Sequence, residues 1–247
     1  MSGKLYIVPT PVGNLGDMTP RAVETLRNVD MILCEDTRTS GVLLKHFGIT
    51  TPTASHHKYN EHDTTSRVVA RLSGGENIAL VSDAGTPGIS DPGFMLVREA
   101  RTAGIDVETL PGPTALIPAL VNSGLPCDRF TFEGFLPPKK GRRTRLEELS
   151  VEPRTFVIYE SPLRLCATLK ELAETCGPTR RAAVCREISK MHDSTHTGTL
   201  CELVEYFSAN QPRGEIVIII EGMAGSAPKK VHRNKYRDSS EASSDNL

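Results

Sequence analysis

The chain has 247 residues, 38% hydrophobic and 24% charged, with a formal net charge of −1. Such a composition gives room for one large or two small cores and excludes a protein that is basic throughout. No apolar run approaches the roughly 20 residues of a membrane span, so no membrane association is expected.

Met1-Ser2-Gly3-Lys4 leads straight into an apolar strand, from which no signal peptide is expected. Six cysteines (Cys34, Cys127, Cys166, Cys176, Cys185, Cys201) stand singly, without C-x-x-C spacing. No metal site follows from them, and the expected setting is a reduced cytoplasm.

The first half alternates strand and helix. Leu5–Val8 reads as an apolar strand. Thr19 caps a helix that has Pro20 at its first position. Met31–Cys34 is the next strand and Ser40–Phe47 a short helix. Thr64–Leu72 is a helix ended by Gly74-Gly75, and Ile78–Val81 a buried strand. Phe94–Ala103, Val107–Leu110 and Pro113–Val121 follow as helix, strand and helix. This alternation predicts a largely parallel sheet with helices on both faces.

Gly124-Leu125-Pro126 marks the expected boundary between an N-terminal α/β domain, residues 1–123, and a second one, residues 124–223. In the second, Arg129–Glu133, Thr155–Tyr159, Ala182–Glu187, Ser194–Thr199 and Glu215–Glu221 read as strands. Leu163–Cys176 and Leu200–Ser208 read as helices, and the order implies a mixed sheet. Residues 224–247 have almost no apolar content and read as a disordered tail.

Four turns follow apolar strands in the first half: Pro9–Leu15, Glu35–Arg38, Ser82–Gly93 and Pro111–Ala115. In a parallel sheet they converge on one edge, where open α/β sheets bind ligands. Ser82–Gly93 is the most informative, with Gly85, Gly88 and Gly93 allowing close backbone approach and Pro87 and Pro92 stiffening the loop. The dinucleotide, Walker and hydrolase glycine fingerprints are absent from the sequence. A small ligand held mainly by backbone groups with carboxylates nearby fits better. S-adenosylmethionine is one: its amino acid part needs paired polar groups, its adenine a flat apolar slot, and its sulfonium suits acidic surroundings.

Several segments then resemble the small-subunit ribosomal RNA methyltransferases of the tetrapyrrole methylase superfamily, the class III methyltransferases. They are Leu5–Leu15, Cys34–Arg38, Ser82–Gly93, Gly134–Pro137, Tyr159–Arg164, Arg186–His192 and Gly214–Val217. The resemblance covers residues 4–222. It implies a two-domain α/β fold with S-adenosylmethionine in the cleft between domains, and a homodimer. It also implies 2′-O-methylation of a cytidine ribose in the decoding centre of 16S rRNA. By the same resemblance Ser82, Asp83, Ala84, Gly85, Ile89 and Ser90 face the cofactor. Pro9, Pro111 and Thr114 line its pocket, and the turn at Tyr159, Glu160 and Ser161 closes it.

A ribose hydroxyl is a poor nucleophile at neutral pH, so a base is sought among Asp36, Glu35, Asp83, His57 and Glu187. Asp36 and Glu35 are favoured as catalytic residues because they follow a strand beside the cleft. Arg38 stands ready to fix a carboxylate or an RNA phosphate; the bland alternative for Glu35–Arg38 is a turn closed by an internal ion pair. Lys139, Lys140, Arg142, Arg143 and Arg145 put five basic residues in seven on an expected mobile loop that would contact RNA. Lys229–Arg237 is a second basic run, read as part of the tail. Phe130 and Phe132 alternate as core residues, whereas Phe135 is open to stack on a base. The alternatives are a methyltransferase acting on a uroporphyrinogen- or precorrin-type tetrapyrrole, and a non-catalytic rRNA-binding assembly factor.

Overall fold

The computed structural model describes residues 2–223. The expected tail and the basic run Lys229–Arg237 lie outside the described residues.

Five strands form the first sheet: β1 (Lys4–Ile7), β2 (Met31–Cys34), β3 (Thr53–Ser55), β4 (Ile78–Val81) and β5 (Asp106–Thr109). Their order is β3-β2-β4-β1-β5 and every pairing is parallel. Both β2 and β4 are buried along their whole length, as continuous apolar runs in a covered parallel sheet must be. Alternate residues go to opposite faces. Leu33, Ile78 and Leu80 pack with Val68 and Leu72 of α3 (Glu61–Ser73) and Leu96 of α4 (Phe94–Thr102). Ile32, Ala79 and Val81 pack with Leu26 of α1 (Pro20–Asn28) and Leu44 of α2 (Thr37–His46).

The second sheet contains β6 (Phe130–Phe135), β7 (Thr155–Glu160), β8 (Arg181–Arg186), β9 (Ser194–Thr199) and β10 (Ile216–Ile220), in the order β6-β7-β10-β8-β9. Only β6 and β7 pair in parallel, so the sheet is mixed, as the sequence implies. One face carries Phe156, Ile158, Val184 and Ile218 against α6 (Arg142–Ser150), α7 (Leu165–Cys176) and α8 (Leu200–Ala209). The other face carries Val157, Ala183, Val217 and Ile219 against Ala119 and Leu120 of α5 (Leu116–Asn122). Helix α5 precedes Gly124 in sequence, yet its buried residues pack on the second sheet.

Several elements differ from the sequence reading; α3 begins at Glu61 rather than Thr64, and α5 at Leu116 rather than Pro113. Helix α2 begins at Thr37 rather than Ser40, because Asp36 caps it by accepting from the Arg38 amide at 2.8 Å. Strand β3 is three residues long and half exposed or exposed, with no apolar run to reveal it. The basic segment expected as a mobile loop is instead the turn before α6 and that helix's first turn.

Candidate active site

The loops after β1, β4 and β5 meet at one edge of the parallel sheet and are tied together. Thr10 and Gly85 exchange both backbone hydrogen bonds at 2.9 Å. The Thr10 hydroxyl donates to the Ser82 carbonyl at 3.0 Å, and the Thr86 hydroxyl to the Pro113 carbonyl at 3.2 Å. At the far end the Gly93 amide donates to Glu61 at 2.9 Å. Gly93 has φ +140, and a Cβ there would lie 2.8 Å from Leu80 Cδ2, so a side chain would both strain the turn and push on the core.

Facing this edge is an edge of the second sheet. Ile216, which opens β10, pairs with Glu160, which ends β7, and with Arg186, which ends β8. A cleft of about 400 Å³ lies between the two edges. Its first-half wall is Val12, Ala84 to Thr86, Ser90, Asp91, Thr114 and Ala115; its second-half wall is Phe135, Tyr159 to Pro162, Ile188 and Gly214 to Val217.

Of the residues expected around a cofactor, Ala84, Gly85, Ser90, Thr114, Tyr159, Glu160 and Ser161 therefore line one cavity. Pro9, Ser82, Asp83, Ile89 and Pro111 do not. Pro9 packs on Gly112, where an added Cβ would stand 2.8 Å from the proline ring. Ser82 is buried with its hydroxyl turned to the Ala84 and Gly85 carbonyls. Asp83, Ile89 and Pro111 are exposed outside the wall. Sequence reasoning missed Val12, Asp91, Ala115, Phe135, Ile188 and Gly214–Val217 as cleft residues. Most of these lie inside motifs already noted, but nothing local says which way they face.

The second wall is held by Glu160, whose carboxylate is buried. It accepts from the Ser161 amide at 2.7 Å, the Arg164 guanidinium at 2.8 Å and the Thr168 hydroxyl at 2.7 Å. With its oxygens so occupied, Glu160 shapes the Ser161-Pro162 turn. The Tyr159 ring meets Phe132 and Phe135 edge-on at 5.0 and 5.7 Å. Burial pushes the Tyr159 phenol up, with Thr114 of the first wall acting against the shift.

The acids separate into two kinds. The Arg38 guanidinium holds the Asp36 carboxyl down at about 2, aided by the Arg38 amide. Asp36 and Arg38 thus form the internal ion pair at 2.7 Å that was the bland alternative for this turn. Asp91 is different: burial pushes its carboxyl up, with the Asp83 charge adding to the shift. Glu35 is raised by burial and then by Asp91 and Asp83; Asp83 is raised by burial and then by Asp36.

The expected RNA-binding arginines are partly spoken for. Arg142 is 12% exposed and donates to Glu171 at 2.6 Å, Thr168 at 2.7 Å and the Pro137 carbonyl at 3.2 Å. Arg145 pairs with Glu133 and with Glu148 at 2.6 Å. Arg143 is 91% exposed on an i,i+4 pair with Glu147, and Arg38 is 90% exposed. Lys139 and Lys140 are exposed. Among the described residues no helix is long and apolar enough to cross a membrane, and no group of three or more His, Cys, Asp or Glu is placed to hold a metal.

Three parallel-strand loops and a facing mixed sheet closing on one cleft define a class of fold, and comparison with known proteins agrees. The Tetrapyrrole (Corrin/Porphyrin) Methylases profile matches residues 4–204. Among solved structures, the methyltransferase CobJ superposes with a TM-score of 0.67 at 19% identity, over 92% of this chain and 97% of that one. Uroporphyrin-III C-methyltransferase from Thermus thermophilus, complexed with S-adenosyl homocysteine, gives 0.61 at 19% identity over 89% and 97%. Much nearer in sequence is ribosomal RNA small subunit methyltransferase I of Synechocystis sp., 54% identical over 96% of this chain and 85% of that protein. The protein of the same name from Escherichia coli O157:H7 is 49% identical over 89% and 78%. The chain belongs to the tetrapyrrole methylase family and, within it, to the ribosomal RNA small subunit methyltransferase I family.

Proposed function

We propose that this chain transfers a methyl group from S-adenosylmethionine to the 2′-oxygen of a cytidine ribose in the decoding centre of 16S rRNA. The observation that carries the reading is the two-walled cleft of about 400 Å³, with Ala84 to Thr86 on one side and Tyr159 to Ser161 on the other. Its lining suits the cofactor: the Phe135 and Tyr159 rings for a flat heterocycle, and Asp91 and Glu215 for a positive centre. The names of the sequence relatives support the substrate class.

When bound, S-adenosylmethionine supplies an electrophilic methyl on a sulfonium. The chain's task is to hold the ribose hydroxyl in line, and positioning of this kind is worth up to about 7–11 kcal/mol. Asp91, rather than Asp36, is the carboxylate that accepts the hydroxyl proton. It lines the cleft with raised proton affinity, whereas Asp36 at about 2 is a weak base. Lys139, Lys140, Arg143 and Arg38 supply phosphate contacts, while Arg142 stays within the fold. The reading includes a homodimer working in the cytoplasm, which sedimentation tests as a particle of two chains.

Labelled methyl transfer to small ribosomal subunits that lack this modification, followed by mapping of ribose methylation in 16S rRNA, tests the proposal. Label at a single cytidine ribose is the expected result. Transfer to a uroporphyrinogen-type substrate instead would overturn it. Absence of S-adenosylmethionine binding by calorimetry would point to a binding factor.

A further inference from the structure

Among the described residues, two non-glycine positions have left-handed backbone: Glu187 at φ +54 and Ser189 at φ +65. L side chains rarely adopt this conformation, and it persists where the surroundings over-determine it. Both lie in the segment that leaves β8 and crosses towards the first sheet. Between them Ile188 is buried and lines the cleft.

Beyond Ile188 the crossing is made by side chains. The Ser189 hydroxyl donates to Asp17, in the loop after β1. The Lys190 stem lies over Gly13 so closely that a Cβ on Gly13 would stand 2.2 Å from Lys190 Cγ. The Lys190 ammonium is pulled in between two carboxylates of the second half, Glu187 at 2.9 Å and Glu215 at 3.3 Å. Glu187 also accepts from the Glu215 amide at 2.9 Å. Val12, beside Gly13, and Ile188 and Glu215 all line the cleft.

We propose that Lys190 is a positioning residue of the methyl-transfer site. Its ammonium fixes Glu215 and Glu187 at the rim of the second wall. Its stem, lying over Gly13, sets how far the Val12 loop stands from Ile188. Lys190 thereby determines how tightly the two walls grip the cofactor, without touching the reacting atoms. The inference rests on the methyltransferase reading above.

The test uses the full chain with Lys190→Met, which keeps a similar stem and removes the charge, Lys190→Arg, which keeps the charge, and Lys190→Ala, which removes both charge and stem. Binding of S-adenosylhomocysteine is measured by calorimetry, with steady-state methylation of small ribosomal subunits and thermal melting alongside. Lys190→Met is expected to weaken binding and raise KM for S-adenosylmethionine about tenfold or more, as loss of ångström-scale positioning does. Its kcat and melting temperature should change little. Lys190→Arg should stay within about threefold of the parent, since it retains the cation. Lys190→Ala should lose at least as much binding as Lys190→Met.

Parent-like binding and KM in Lys190→Met, or a loss in Lys190→Arg as large as in Lys190→Met, would overturn the proposal. So would a loss explained wholly by a lowered melting temperature. If the unsubstituted protein binds no S-adenosylhomocysteine, the methyltransferase reading itself fails, a result separable from failure of the Lys190 role alone.

Discussion

The two walls of the cleft are built on opposite plans. The first comes from loops that follow strands running the same way, so each strand end delivers its turn to one edge. The second comes from antiparallel neighbours, so the edge is made of the ends of β7 and β8 together with the start of β10. A wall of the first kind shows in sequence as glycine- and proline-rich turns after apolar runs. A wall of the second kind shows as unremarkable residues far apart in the chain, such as Glu160, Ile188 and Ile216. Chemistry divides unevenly across them too. Of the raised carboxyls Asp91, Glu35 and Asp83, Asp91 lines the first. At the second, Glu160 is locked by hydrogen bonds and Glu187 is lowered chiefly by the Glu215 amide.

The sharpest way to break this division is Asp91→Asn. Methyl transfer should fall about 10²-fold or more, the scale of a lost general base, and by more than cofactor affinity falls. Normal transfer would remove Asp91 from the chemistry. The same variant carries a stability sign. Because the folded carboxyl is raised above its ordinary value of 3.8, ionisation costs stability above that range and nothing below it. Asp91→Asn should therefore melt higher than the parent near pH 7, and denaturant titrations should show the advantage vanishing as pH falls below about 4.

On the second wall, Arg142→Ala should cost about 2 kcal/mol, or roughly 4–8 °C in melting temperature, by unpairing Glu171 and Thr168 near the buried Glu160. It should leave the salt dependence of RNA binding unaltered. A flatter salt slope without destabilisation would return Arg142 to the RNA surface.

Replacing Lys139, Lys140 and Arg143 together by alanine should weaken binding to small subunits and flatten the slope of log affinity against log salt by about 2–3. An unchanged slope would take the α6 end of the second wall out of the RNA interface. The smallest effect is expected at Asp36→Asn, with transfer within about twofold of the parent near pH 7, because Asp36 caps α2 and pairs with Arg38. Its carboxyl is lowered from 3.8 to about 2, so its contribution to stability is present above 3.8 and is lost as pH falls towards 2. A rate loss like that of Asp91→Asn would reverse the assignment.

The turn at Glu35–Arg38 shows where reading stops. Four residues allow either a catalytic acid beside the cleft or an ion-paired cap, and the choice depends on where the Arg38 side chain goes. The basic run at 139–145 is similar. Glycine and charge suggest a loop, but Leu146 and Leu149 reach the core and draw Arg142–Ser150 into a helix.

By itself the sequence determined the parallel first sheet, the mixed second sheet, the family and which turns supply the first wall of the cleft, though not which of their residues face it. Each depends on short-range features: apolar runs, capping residues, and glycines and prolines at strand ends. Tertiary structure alone decided that α5 packs on the second sheet, that Asp91 faces the cleft while Asp36 pairs with Arg38, and that Lys190 spans the two walls. These depend on side-chain direction and on contacts between residues more than a hundred positions apart, such as Lys190 and Gly13. Local propensity carries no information about such contacts.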